Sequence, residues 1–168
     1  LLKEFQEKFP GVAVCQGYGM TETSPLITLL GPRKAITKMG SVGETVPKIE
    51  ARIVDDLDRP LPPNRVGEVT VSGPQVMKGY HKDEEATAQM IRNGRLYTGD
   101  LGYFDGEGFL YLVGRKKEMI ITGGLNVFPS EIEEILLKHP QVNEAAAVGV
   151  PDFMRGEIIK AVVALQPG

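Results

Sequence analysis

Turn-forming residues divide this sequence so finely that no long regular element can run through most of it. The 20 Gly and 12 Pro are spread along 168 residues and not gathered in one tract, and both residue types punctuate helices and strands. The effect is strongest between residues 40 and 116. Short β-rich runs, Ile49–Val54, Gly67–Ser72 and Phe109–Val113, alternate there with clusters such as Asp58-Arg59-Pro60-Leu61-Pro62-Pro63-Asn64. Asp105-Gly106-Glu107-Gly108, set between Tyr103-Phe104 and Phe109-Leu110, is a hairpin signal. One short helix is expected near Asp83–Ile91, where the acidic run Asp83-Glu84-Glu85 suits the positive end of a helix dipole. This section is expected to form a β-barrel-like subdomain, a small and largely antiparallel barrel or curled sheet.

The two flanks read differently. In residues 1–39, Leu1, Leu2, Phe5 and Phe9 fall at helix spacing, and Pro10-Gly11 stops that helix. Val12-Ala13-Val14-Cys15 then reads as a short buried strand, with Cys15 as a small hydrophobe. Together they suggest the end of an α/β layer, whose ligands bind in loops at the carboxyl ends of strands. Residues 117–168 read as the start of a small α+β domain: a strand at Glu118–Thr122, a turn at Gly123-Gly124, a helix opened by Pro129, and strands at Val142–Val150 and Glu157–Leu165. Ile132, Ile135 and Leu136 make that helix's apolar stripe, and Glu131, Glu133 and Glu134 suit its dipole. Leu26, Ile27 and Leu29 are read as core more readily than as pocket lining.

Composition narrows the class. The chain is 42% hydrophobic and 24% charged, with a net charge of −3 and both signs interleaved. That is a globular composition with no basic footprint for nucleic acid and no polybasic membrane patch. One cysteine forms no internal disulfide, no apolar stretch spans a bilayer, and Leu1-Leu2-Lys3-Glu4 is no signal peptide, so a cytoplasmic location is expected. Without an initiator Met, and with a loop-like Gln166-Pro167-Gly168, the sequence is expected to be part of a longer protein. His81 and His139 have no partner at a useful spacing and read as surface residues.

Three blocks carry chemistry. In Gln16-Gly17-Tyr18-Gly19-Met20-Thr21-Glu22-Thr23, two glycines permit close backbone approach, Tyr18 offers an aromatic face, Thr21 a hydroxyl, and Glu22 a hard carboxylate suited to magnesium. In Tyr97-Thr98-Gly99-Asp100-Leu101-Gly102, Asp100 can accept hydrogen bonds from a vicinal diol. In the run from Gly114 to Glu133, Arg115 is a permanent cation suited to ribose and phosphate oxygens. Singly, these are also what a polar turn, a β-turn aspartate and a solvated strand look like. Their coincidence is far more specific.

In order and spacing, QGYGMTETSP, YTGDLG and GRKKEMIITGGLNVFPSEIE resemble the AMP-forming ligase superfamily of acyl-CoA synthetases, adenylation domains and luciferases. Fatty-acid and 4-coumarate CoA ligases look most alike. The resemblance covers nearly the whole chain. It implies an acid–CoA ligase, with long- or medium-chain fatty acid as the expected acid, that consumes ATP with magnesium, forms an acyl-AMP, and passes the acyl group to coenzyme A. By the resemblance, Tyr18 stacks on adenine, Gln16 and Gly17 line the edge between adenine and the acyl pocket, Gly19 belongs to the same cofactor-binding loop, and Thr21 and Glu22 meet phosphate and magnesium. Asp100 and Arg115 contact ribose, and Lys117 is the hinge between the large and small domains. Gly123, Gly124 and Asn126 fall on the cofactor side, where the two glycines either admit the pantetheine arm or form a plain tight turn. Ile121 stands where many relatives carry lysine, so no phosphate contact is assigned to it. The family's phosphate loop is expected upstream of Leu1 and its catalytic lysine downstream of Gly168, so these 168 residues alone are not expected to form acyl-AMP. Two rivals remain: an adenylating enzyme loading a carrier-protein thiol or an amine, and a non-catalytic nucleotide-binding remnant.

Overall fold

Valine and threonine fill the strand Gly67–Ser72, and all four of its inner residues, Glu68 to Val71, are buried. β-branched side chains suit a pleated surface covered on both faces, and this strand lies inside an eight-stranded sheet. The computed structural model describes residues 2–166, with side chains from residue 4 onward. Leu1, the Leu2 side chain, Pro167 and Gly168 therefore lie outside the described residues. The chain forms two compact units, Leu1–Leu112 and Val113–Gly168, the division coming shortly before the boundary expected at residue 117.

The first unit contains α1 (Leu2–Lys8), β1 (Gln16–Gly19), β2 (Leu26–Leu30), β3 (Ser41–Thr45), β4 (Glu50–Val54), β5 (Gly67–Ser72), α2 (Glu84–Met90), β6 (Ile91–Arg92) and β7 (Arg95–Phe104). β8 (Leu110–Arg115) begins in it. The strands run in the order β1-β2-β3-β8-β7-β5-β4, with β6 pairing β7. The ladder passes from β2 to β3, so the expected division at residue 40 is no break in the sheet. Ile27, Val42, Ile49, Ile53, Val69, Val71 and Leu110 form its core. Each such side chain contributes roughly 1.5–3 kcal/mol by leaving water. Ile27 is core, as read from the sequence, whereas Leu29 is 44% exposed.

Two local expectations need correction. Val12–Cys15 is not a strand: it joins no ladder, Val12 is half-exposed and Cys15 is exposed. An apolar run becomes a strand only where a neighbour takes its backbone hydrogen bonds, and that neighbour first appears at Gln16, opposite Leu30. Half of the expected polar loop is accordingly strand β1. The Asp105–Gly108 hairpin forms as read, with the Asp105 N–H donating to Phe109 O at 2.9 Å. Its carboxylate accepts from the Glu107 and Phe109 N–H groups and from Lys38 Nζ at 2.7 Å.

The second unit adds β9 (Ile120–Thr122), β10 (Leu125–Val127), α3 (Pro129–Leu136), β11 (Val142–Asp152) and β12 (Gly156–Leu165), with sheet order β10-β9-β12-β11. Pro129 opens α3 as expected. Lys116–Glu118 is a 3-10 turn, so the strand expected over Glu118–Thr122 begins only at Ile120. Ile132 and Leu136, four apart, are half-buried, but Ile135 is 64% exposed. A two-turn helix resting on one hairpin covers only the narrow side of its stripe.

Candidate functional site

Residues of the first two sequence blocks meet in space. Tyr18 on β1 donates its hydroxyl to Asp100 Oδ2 on β7 at 2.7 Å, across 82 residues of sequence. Both side chains are partly buried, and a short hydrogen bond to a carboxylate is among the stronger ones a protein makes.

A bulge aims the aspartate. Between the register pairs Glu68↔Leu101 and Thr70↔Tyr97, β5 has the single residue Val69 while β7 has Thr98, Gly99 and Asp100. The extra residues are held by side chains: Thr98 Oγ1 donates to Val69 O at 2.9 Å, and the Asp100 N–H donates to Thr98 Oγ1 at 3.1 Å. Gly99 takes φ +74°, which most side chains resist, and its N–H reaches the buried Glu68 carboxylate at 3.3 Å. Bulges commonly re-aim a side chain in this way.

The loop after Tyr18 is pinned by a residue that has no assigned role in the motif. Thr23 is wholly buried. Its hydroxyl donates to Pro25 O at 2.7 Å and accepts from the Met20 N–H at 3.2 Å. The Met20 N–H also reaches Pro25 O at 2.8 Å, so the chain doubles back tightly. A Cβ on Gly19 would stand 1.8 Å from Pro25 O, which excludes any other residue there. The 3-10 turn Thr21–Thr23 leaves Thr21 exposed and Glu22 half-exposed.

Glu22 has a partner that the motif reading missed. Tyr80 donates its hydroxyl to Glu22 Oε1 at 2.6 Å, and the Met77 N–H donates to Glu22 O at 2.8 Å. The hydrogen bond to Glu22, with partial burial in support, pushes the Tyr80 phenol above its ordinary pKa. The one sequence signal was an aromatic residue directly ahead of a capped helix. Among the described residues no group of three or more His, Cys, Asp or Glu side chains converges. Glu22 thus offers one carboxylate, the donor set of a magnesium ion held chiefly by phosphates and water.

Most of the remaining candidates lie in the second unit. Arg115 and Lys117 line a cleft of about 530 Å³ together with Met119, Ser130, Glu133 and Glu157. Ser130 Oγ donates to Val113 O at 3.1 Å, and Glu133 Oε1 accepts from the Ala147 N–H at 2.9 Å. Gly123 and Gly124 form the turn between β9 and β10, and the Gly123 N–H donates to Arg155 O at 2.9 Å. Asn126 lies on β10, exposed and opposite Ile121. Gln16 and Gly17 are exposed on β1. Neither histidine enters any of these groups.

The sequence matches the AMP-binding enzyme family over residues 1–81 and the AMP-binding enzyme C-terminal domain over residues 131–168. This chain belongs to the AMP-forming ligase superfamily. A long-chain-fatty-acid–CoA ligase of Escherichia coli O6:H1 is 47% identical over 156 residues, 93% of this chain and 28% of that protein. A 2-succinylbenzoate–CoA ligase of Geobacillus kaustophilus is 46% identical over 168 residues, all of this chain and 34% of that protein. Among solved structures, o-succinylbenzoate CoA synthetase from Bacillus subtilis in complex with the acyl-adenylate intermediate OSB-AMP superposes with a TM-score of 0.90 at 42% identity, over 99% of this chain and 34% of that one. The same synthetase has been solved in complex with ATP and magnesium ion. The chain therefore spans about a third of the length of these relatives. Their fold is the one the three sequence blocks implied. No helix among the described residues is long and apolar enough to cross a membrane.

Proposed function

We propose that this chain carries the nucleotide-binding part of an ATP-dependent acid–CoA ligase whose acid is a hydrophobic one, a medium- or long-chain fatty acid. The observation that carries the reading is the Tyr18–Asp100 hydrogen bond, because it joins an aromatic face to a diol acceptor at one place. Tyr18 stacks on adenine, Asp100 and Arg115 take the ribose hydroxyls, and the exposed Thr21 hydroxyl meets phosphate. Gln16 and Gly17 border the acyl pocket, Gly19 belongs to the same cofactor-binding loop, and Gly123, Gly124 and Asn126 face the pantetheine arm of coenzyme A.

The chemistry runs in two steps. A carboxylate oxygen attacks the α-phosphorus of ATP and pyrophosphate leaves; the coenzyme A thiol then attacks the acyl carbonyl and AMP leaves. Negative charge gathers on oxygens in both, so the protein acts mainly by positioning reactants and by neutralising charge. Glu22 is the residue that would hold magnesium, which when bound neutralises phosphate oxygens. Lys117, in a 3-10 turn closed by a hydrogen bond of 3.4 Å, is the hinge, since such a turn can absorb a dihedral change. The relatives include both fatty-acid and 2-succinylbenzoate ligases, so both acids belong in the test.

A graft tests it. These 168 residues replace the matching third of the Geobacillus ligase, and acyl-CoA formation is measured with acids of graded chain length and with 2-succinylbenzoate. Turnover that needs ATP and coenzyme A, and that is lost in the Asp100→Ala graft, is the expected result. A well-folded graft that binds no AMP sinks the reading. The 168 residues by themselves are expected to give no pyrophosphate exchange.

A further inference from the structure

No residue of the helix α2 is fully buried, and only Ala86, Thr87 and Met90 are partly so. What it holds is Tyr80. The Thr87 hydroxyl on α2 accepts from the Tyr80 N–H at 2.9 Å and donates to Asp83 O at 2.7 Å. Asp83 caps the helix by accepting from the Ala86 N–H at 2.9 Å. Gly79, at φ +152°, lies so close to Thr87 that an added Cβ would stand 2.8 Å from its methyl group. Tyr80 is thus fixed at its backbone by a capped helix, while its phenol reaches back 58 residues to Glu22.

We propose that Tyr80 is a positioning residue for magnesium: it fixes the Glu22 carboxylate so that Oε2 is presented to the ion. The inference rests on the function proposed above, which gives Glu22 the metal. Among the described residues Oε1 takes the phenol proton at 2.6 Å, and Oε2 makes no hydrogen bond or ion pair. The backbone is held as well, by the Met77 N–H on Glu22 O. A free glutamate samples many rotamers and loses that freedom on binding. One already ordered by a phenol gives up less, which is the general advantage of preorganisation. Magnesium sharpens the requirement because it tolerates little departure from octahedral geometry and accepts few protein ligands. A hydrogen bond that occupies one oxygen leaves the carboxylate to bind through the other. Partners of ligating carboxylates typically carry about 10- to 100-fold in metal affinity.

The test is manganese binding, followed by electron paramagnetic resonance, to the Geobacillus ligase carrying these 168 residues in place of its own matching third, with ATP present. Wild type, Tyr80→Phe, Glu22→Gln and the double variant are compared, and affinity for AMP without metal is measured on each. Tyr80→Phe should weaken manganese–ATP binding about 10-fold or more while leaving metal-free AMP binding unchanged. It should add nothing in the Glu22→Gln background, because the phenol acts only through that carboxylate. The proposal is overturned if Tyr80→Phe binds manganese–ATP as wild type does, or if it weakens binding equally in both backgrounds. Wild type that binds AMP but no manganese–ATP removes the metal role of Glu22 and this inference with it. Wild type that binds no AMP removes the nucleotide function itself.

Discussion

Replacing Asp100 by Asn preserves shape and removes charge, and the structure says how the loss distributes. An aspartate offers about four acceptor sites, an asparagine two acceptor sites and two donors. One of the four in Asp100 is taken by the Tyr18 hydroxyl at 2.7 Å. In the Asn variant the Tyr18 proton claims the amide oxygen, which turns the NH₂ group toward the sugar. At least one charge-assisted hydrogen bond to ribose disappears, worth roughly 1.5–3 kcal/mol. AMP affinity should therefore fall by about 10- to 150-fold. Calorimetric titration of the chain with AMP and with 2′,3′-dideoxy-AMP isolates the term. The dideoxy nucleotide should bind wild type and variant nearly alike, because it presents no diol to lose. If Asp100→Asn weakens both nucleotides equally, the aspartate supports the loop and does not read the ribose. If it weakens neither, the site is elsewhere.

Three further outcomes follow from the packing. Thr23→Val keeps the buried volume but removes a hydroxyl that both donates and accepts; about 1 kcal/mol of stability should be lost, a fall of about 2–4 °C in melting temperature at this size, with weaker AMP binding. Ile27→Ala should cost about 2–5 kcal/mol because the side chain is fully buried, whereas Leu29→Ala, at 44% exposure, should leave the chemical-denaturation midpoint nearly unchanged. Partial burial opposes ionisation of Asp105, but Lys38 and two backbone N–H groups outweigh it and hold the carboxyl below its ordinary range. A folded-state pKa below the unfolded value near 3.9 means that the stabilisation is complete above that value. It is then lost as pH falls through the lower, folded pKa. Melting curves between pH 2 and 6 should show an acid-sensitive component that Lys38→Met reduces.

How far the sequence reaches depends on whether an element is specified locally. The Asp105–Gly108 hairpin and the helix starts at Asp83-Glu84-Glu85 and Pro129 are local: each depends on a few adjacent residues, and each forms where it was read. Val12–Cys15 fails for the opposite reason. Its apolar pattern is that of a strand, but pairing is a property of the neighbour and leaves no mark in the run itself. The site shows the same division. Tyr18, Glu22 and Asp100 stand out because their glycine-flanked blocks, each ordinary alone, coincide in one order and spacing. Thr23 and Tyr80 do not, since a buried threonine pin and a phenol reaching back 58 residues look like ordinary polar residues until the chain is folded.

The same division bears on how the site would fail. Tyr18 lies beside a register shift in the β1–β2 pair, Asp100 in a bulge, and Glu22 in a single 3-10 turn. All three sit where the regular ladder is interrupted, and each is placed by side-chain hydrogen bonds from Thr98, Thr23 or Tyr80. The cohesion of the sheet comes instead from Val69, Val71, Ile27 and Leu110 in its interior. The two networks share few residues, so variants of the hydroxyl groups should cost ligand affinity well before they cost the fold. Core variants should do the reverse, losing stability at little cost in affinity while the chain remains folded. A single ordering of variants by stability and by AMP affinity would contradict this separation, because it would mean that the interruptions are held by the core and not by their own hydroxyls.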